Sequence, residues 1–120
     1  MNRLAIYTYK NCDTCRRAVK WLRARGIAFE EHPIRETPPG PAELRKMLAA
    51  LGGERRRLFN TSGGDYRELK LGEKLPAMND ADALGLLAGN GNLVKRPFVL
   101  GPQVALVGFD EAEWSAAFAG

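Results

Sequence analysis

Leu4-Ala5-Ile6-Tyr7-Thr8-Tyr9-Lys10-Asn11-Cys12-Asp13-Thr14-Cys15-Arg16-Arg17-Ala18-Val19 is the stretch whose reading decides the fold. Leu4 to Thr8 is a short apolar run that ends at Lys10 and Asn11, and it reads as a strand. From Asp13 onward, Cys15, Val19 and Leu22 recur at i, i+4 and i+7, the spacing of an amphipathic helix, which Gly26 stops. Ile27 to Ile34, with Phe29 and alternation as far as His32, reads as a second strand. A helix between two strands requires them to pair in parallel, so the stretch predicts a βαβ unit with both cysteines where the helix begins.

Working outward, Thr37-Pro38-Pro39-Gly40 is a loop, and Pro41 suits the first position of a helix whose buried face, Leu44, Met47, Leu48 and Leu51, runs up to Gly52-Gly53. Glu54 to Gly91 is less regular. Asn60-Thr61-Ser62-Gly63-Gly64 reads as a loop, Tyr66 to Leu71 as a short helix, and Asp80 through Leu84 and Leu87 to Gly89 as another. Pro97-Phe98-Val99-Leu100 and Val104-Ala105-Leu106-Val107 are strands joined by Gly101-Pro102-Gln103 into an antiparallel hairpin. A last helix opens at Asp110, with Asp110 and Glu113 spaced as a capping box and Phe109 and Trp114 as a hydrophobic staple. The expected fold class is α/β and thioredoxin-like: βαβα, then helices, then ββα, on a mixed four-stranded sheet. Residues 1–120 are expected to form one domain, with a helical insertion at about 41–91.

A chain of 120 residues supports one hydrophobic core. Its apolar and charged shares, 45% and 27%, are those of a globular protein and exclude a disordered one. No apolar run approaches the ~20 residues that span a bilayer, and the start, Met1-Asn2-Arg3, leads into too short an apolar stretch for a signal peptide. The expected location is the cytoplasm, with no membrane and no direct nucleic acid as partner. The net charge of +4 favours anionic partners only in a general way. Arg16, Lys20 and Arg23, and the run Arg55-Arg56-Arg57, read as solvated faces.

Closing a loop as small as that between Cys12 and Cys15 removes little entropy from the unfolded chain, so the pair makes a poor staple and its spacing points to chemistry. A cysteine feeding a helix meets unpaired N–H groups and the positive end of the dipole, which favour its thiolate. Cys12 holds that place. Cys15 shares the Val19 and Leu22 face and is expected to be more buried, with the higher pKa. Cys12 is then the attacking thiol and Cys15 the resolving one, closing the internal disulfide. Lys10 and Arg16 stand close enough in sequence to assist Cys12, and Asp13 would oppose it unless spent on capping. The C-x-x-C in a βαβ context is what a redox site requires. Zinc needs about four ligands, and two cysteines with the single histidine, His32, do not supply them, so no metal is expected. One histidine also leaves little room for a Ser/His/Asp or Cys/His hydrolase. In Lys95-Arg96-Pro97, Pro97 opens the third strand as a plain edge proline or through a cis bond, and the two stay open. Arg96 would sit at the strand end nearest Cys12, where a guanidinium grips an oxyanion or carboxylate at two points.

Tyr9-Lys10-Asn11-Cys12-Asp13-Thr14-Cys15-Arg16-Arg17-Ala18, Leu58-Phe59-Asn60-Thr61 and Leu93-Val94-Lys95-Arg96-Pro97 together resemble the glutaredoxin-type arsenate reductase family, including its Spx and YffB branches. The likeness covers nearly the whole chain. It implies a thioredoxin fold with an inserted helical layer, a cis proline at Pro97, and Arg96 facing the cysteine loop. It also implies that Cys12 is the nucleophile and that an oxyanion is held by arginines, of which only Arg96 has a match. Asn60 stands where the family has an arginine before a threonine, Val104 to Phe109 offers no late arginine, and Thr8 occupies the region of the usual histidine.

The resemblance leaves three functions. The Asn-Cys-Asp-Thr stretch, Asn60-Thr61 and Lys95-Arg96-Pro97 look most like YffB, which implies an enzyme: a cytosolic thiol–disulfide oxidoreductase with glutathione as reductant, no bound cofactor, and a small oxidised thiol or oxyanion as substrate. Lys10, Asn60 and Arg96 are its candidate anion-binding residues, with Pro97 structural beside them. The Spx likeness implies instead a redox-sensing regulator that binds the C-terminal domain of the RNA polymerase α subunit, through the second helix and the basic residues near Arg55. An arsenate reductase is the third.

Overall fold

Alternate residues of the first strand are drawn to opposite sides, and this builds two cores. The computed structural model describes residues 4–119; Met1, Asn2, Arg3 and Gly120 lie outside the described residues, as does the reading of the first three as a non-signal start. The strand β1 spans Leu4–Thr8 and is followed by helix α1 at Asp13–Ala24 and strand β2 at Phe29–Pro33. Helices α2 (Pro41–Ala50), α3 (Gly64–Glu68), α4 (Leu71–Lys74) and α5 (Asp80–Gly89) follow, with 3₁₀ turns at Arg55–Leu58, Leu75–Ala77 and Gly91–Leu93. Strands β3 (Phe98–Leu100) and β4 (Ala105–Val107) and helix α6 (Glu111–Phe118) complete the order.

The sheet runs β2-β1-β3-β4. β1 and β2 are parallel, with Leu4 opposite Phe29 and Thr8 opposite Pro33, while β3 is antiparallel to both β1 and β4. A βαβ unit joined to an antiparallel ββα unit on a mixed four-stranded sheet is the thioredoxin-like fold. Leu4, Ile6, Val99 and Leu106 face one side and pack with Val19, Trp21 and Leu22 of α1 and Trp114 of α6. Phe98, Leu100 and Val107 face the other, against Leu44, Met47 and Leu48 of α2, Leu84 and Leu87 of α5, and Ile34. Period-two alternation thus leaves the central strands covered on both faces, which is why they read as almost wholly apolar.

Several boundaries differ from those the sequence predicts, each for a local reason. β2 begins at Phe29 and not Ile27, because Gly26 takes a positive φ of 69° and the Ile27 N–H turns back to the Leu22 carbonyl to close α1. β3 begins at Phe98, since Pro97 has no N–H for the ladder. The single helix expected over Tyr66 to Leu71 is two: Lys70 adopts φ 54° and breaks the run, which lets Tyr66 and Leu71 both reach the core. At α6 the predicted start stands, with the Asp110 carboxylate accepting the Glu113 N–H at 2.9 Å and Phe109 packed edge-on to Trp114 at 4.9 Å. No helix among the described residues is long and apolar enough to cross a membrane.

Candidate functional site

The C-terminal end of β1 releases the chain into the Lys10–Asn11 turn, and the turn is closed by the Cys12 N–H donating to the Tyr9 carbonyl at 3.0 Å. Cys12 is the N-cap of α1 with extended backbone (φ -99°, ψ 114°), and its Sγ accepts the Cys15 N–H at 3.3 Å. The sulfur therefore occupies the place a serine or aspartate oxygen usually takes, facing the unpaired donors of the first turn. Both cysteines are free thiols, Cys12 half-buried and Cys15 only 2% exposed.

Burial pushes the Cys15 thiol up from its ordinary 9.0 to about 12; the hydrogen bond and charge of Cys12 add to this, while the Tyr9 backbone and the Arg96 guanidinium act against it. Because the folded pKa lies above the unfolded one, the unfolded chain loses this proton first as pH rises. The resulting stability is fully present below pH 9.0 and is lost between there and about 12. Two outcomes are expected of the reduced protein. Iodoacetamide at neutral pH should modify Cys12 and leave Cys15 untouched until the chain is unfolded, as read by peptide mass spectrometry. Urea midpoints should fall across the alkaline window, and less so in Cys15→Ala.

The neighbouring charges are arranged differently from the simplest reading. Asp13 is the first helical residue and not the cap; its exposed carboxylate pairs with Arg17 at 3.5 Å and Arg16 at 3.8 Å. Arg16 is occupied in turn by the loop backbone, donating to the Lys10 carbonyl at 2.7 Å. Lys10 is exposed and lines, with Cys15, Lys20 and Arg23, a groove of about 470 Å³ along α1. Thr8 is buried on the same side, its hydroxyl donating to Glu31 at 2.6 Å.

Arg96 reaches the loop from the other direction, and the Arg96–Pro97 bond is cis, which decides between the two alternatives left open for Pro97. The helical layer holds this residue. Asp65 of α3 accepts from the side chains of Asn90 at 3.0 Å and Asn92 at 3.4 Å, and the Asn92 carbonyl accepts from Arg96 Nη2 at 2.9 Å. The Arg96 guanidinium lies 5.5 Å from the centre of the Tyr9 ring, and its Nε is buried with no partner among the described residues. A buried donor left unmatched costs about 1–3 kcal/mol.

Asn60 lies on the neighbouring strand-like segment, where its N–H donates to the Leu93 carbonyl at 2.7 Å. Its side-chain amide packs against Gly63 of its own turn. Arg55, expected on a partner surface, is tied inward to Asp80 at 3.1 Å and to the Leu75 carbonyl at 2.9 Å. His32 stacks on Tyr7 at 4.9 Å and meets Glu30 at 3.0 Å. Among the described residues no group of three or more His, Cys, Asp and Glu could hold a metal ion. The sequence reading missed Tyr9 and Arg35 as parts of the site: Arg35 donates to the Tyr9 hydroxyl at 3.0 Å. Nothing in the Ile34-Arg35-Glu36 stretch signals this, since the contact joins residues on two different strand ends.

Comparison with known proteins places the chain among relatives of one family. The model of the ArsC family matches residues 7–117. The YusI protein of Bacillus subtilis (strain 168) is 41% identical over 116 residues, which cover 97% of this chain and 98% of that one. The crystal structure of a possible arsenate reductase from Streptococcus mutans UA159 superposes with a TM-score of 0.89 at 34% identity, over 98% of this chain and 100% of that one. The global transcriptional regulator Spx of Enterococcus faecalis (strain ATCC 700802 / V583) is 30% identical over 111 residues, 92% of this chain and 82% of its own. A YffB protein is also among the structural relatives, so the homologues include arsenate reductases, Spx regulators and YffB.

Proposed function

The chain belongs to the ArsC family, and on that premise we propose that it is a thiol–disulfide oxidoreductase linked to glutathione. The observation that carries the reading is the inequality of the two thiols at one helix start. Cys12 is accessible and receives the Cys15 N–H, whereas Cys15 is buried and held protonated to about pH 12. In the first step the Cys12 thiolate attacks the glutathionyl sulfur of a mixed disulfide, and the other sulfur leaves as a thiolate that takes up a proton. Cys15 then gives up its proton and attacks Cys12 Sγ, which releases glutathione and leaves a Cys12–Cys15 disulfide. Two glutathione molecules reduce that disulfide and depart as glutathione disulfide, so electrons and protons balance over the cycle. Loss of the Cys15 proton is the uphill part of the second step, and Arg96 is the nearby cation that eases it.

Arsenate is the weaker substrate reading, because the Asn60 amide is turned onto Gly63 and only Arg96 supplies a guanidinium of the family's set. The regulator reading rests on the Spx likeness, and its proposed contact residue Arg55 is already engaged by Asp80. The test is an assay of glutathione mixed disulfides with glutathione, NADPH and glutathione reductase. Turnover by the wild type that Cys12→Ser lacks is the expected result; equal rates from both proteins would sink the proposal.

A further inference from the structure

Two arginines from distant parts of the chain each approach the Tyr9 ring, beside the cysteine loop. Ile34 extends the β1–β2 pairing by donating its N–H to the Thr8 carbonyl at 2.8 Å, so Arg35 leaves the sheet level with Tyr9. Arg35 Nη1 donates to the Tyr9 hydroxyl at 3.0 Å, and its guanidinium carbon lies 5.0 Å from the ring centre. The Arg96 carbon lies 5.5 Å from the same centre. Among the described residues neither guanidinium is paired with a carboxylate. Asn11 also donates to the Tyr9 hydroxyl, at 3.2 Å, so the phenol accepts from both sides and is fixed as the hub of the arrangement. Tyr9 in turn holds the loop, since its carbonyl accepts the Cys12 N–H.

Two unneutralised cations beside one ring offer two points of attraction, so a ligand with two negative groups gains from both while a ligand with one gains from only one. Each guanidinium keeps free N–H donors: Arg35 spends only Nη1 on the protein, and Arg96 only Nη2. These are the donors that bind carboxylates in paired fashion.

We infer that Arg35 is a second anion anchor acting with Arg96, and that the site selects thiols carrying two carboxylates, the pattern of a γ-glutamyl peptide thiol. Arg35 is thus a specificity residue and Tyr9 its positioning residue. The inference rests on the thiol–disulfide reading, and it adds a residue and a rule of selection to that reading.

The experiment compares two disulfide substrates, the mixed disulfide of glutathione with 2-mercaptoethanol and the uncharged, symmetric hydroxyethyl disulfide, in wild type, Arg35→Ala, Arg35→Lys and Tyr9→Phe. The ratio of kcat/KM for the glutathionyl over the uncharged disulfide is expected to fall about tenfold in Arg35→Ala, the effect of one charge-assisted contact at a solvent-facing position. The loss should appear in KM, with partial rescue by lysine and an intermediate value for Tyr9→Phe. An unchanged ratio, or equal losses on both substrates, overturns the inference while leaving the proposed function intact. If the wild type turns over neither disulfide, the proposed function fails instead. Binding of unreactive S-methylglutathione, followed by chemical-shift titration, then decides the anchor alone: affinity that weakens in Arg35→Ala supports it, and affinity indifferent to Arg35 overturns it.

Discussion

Cys15→Ser is expected to stop the reaction halfway, with glutathione bound covalently to Cys12 and turnover reduced at least about 100-fold. The geometry supports this size of effect. Cys15 follows Cys12 in the first turn of α1, its N–H already rests on Cys12 Sγ at 3.3 Å, and almost none of it is open to solvent. A group so placed acts as an intramolecular nucleophile, and well-oriented intramolecular reactions reach effective molarities of ~10⁵ M and above. Millimolar glutathione approaching Cys12 from solvent is a poor substitute. Intact-protein mass spectrometry after one substrate addition should show one glutathionyl adduct on Cys15→Ser and none on Cys12→Ser. An adduct on Cys15 in the Cys12→Ser protein would reverse the assigned roles.

The unequal burial of the two cysteines was legible in sequence because a single local rule decides it. Cys12 precedes the helical pattern and Cys15 shares the spacing of Val19 and Leu22, so exposure and burial follow from period alone. The same holds for β1, α1, α2 and α5, where the apolar spacing is regular and the stops are Gly26, the Gly52-Gly53 pair and Gly89. The break at Lys70 was not legible, because a left-handed lysine without a glycine or proline beside it leaves no mark in composition. Nor was the displacement of Asn60 onto Gly63, which depends on the path of one turn.

The candidate site divides in the same way. Arg96 could be placed at a strand end near Cys12 by topology, but what holds it there, Asp65 through Asn92, is a tertiary chain of contacts from the helical layer. Arg35 was invisible for a related reason. Its partner Tyr9 lies on the neighbouring strand's exit, and parallel register, which brings Thr8 opposite Pro33, is what aligns the two. Sequence periodicity reports which face a residue occupies, whereas such pairs depend on register between elements.

Gly91→Ala is expected to be the most damaging glycine-to-alanine change among the described residues, lowering stability by about 3 kcal/mol or more and Tm by more than ~10 °C. A Cβ at this buried position would stand 1.9 Å from the Ile34 carbonyl oxygen, 2.8 Å from its carbon and 2.9 Å from the Arg35 Cα. All three are backbone or Cα atoms, so no side-chain rotation relieves the overlap. The backbone on one side is pinned by the Ile34 N–H bond to Thr8, and on the other by the 3₁₀ turn, in which Val94 donates to the Gly91 carbonyl at 3.2 Å. Relief requires the two segments to part, against a total stability of ~5–15 kcal/mol for such a domain. The separation has a second consequence, because the segments that Gly91 joins carry Arg35 on one side and Asn92 with Arg96 on the other. Thermal unfolding followed by circular dichroism measures the first effect. The second should appear, below the new Tm, as a KM for glutathionyl substrates raised beyond that of Arg35→Ala alone, since both anchors move together. A Gly91→Ala protein with wild-type Tm and wild-type KM would mean that the helical layer does not hold the two arginines in register.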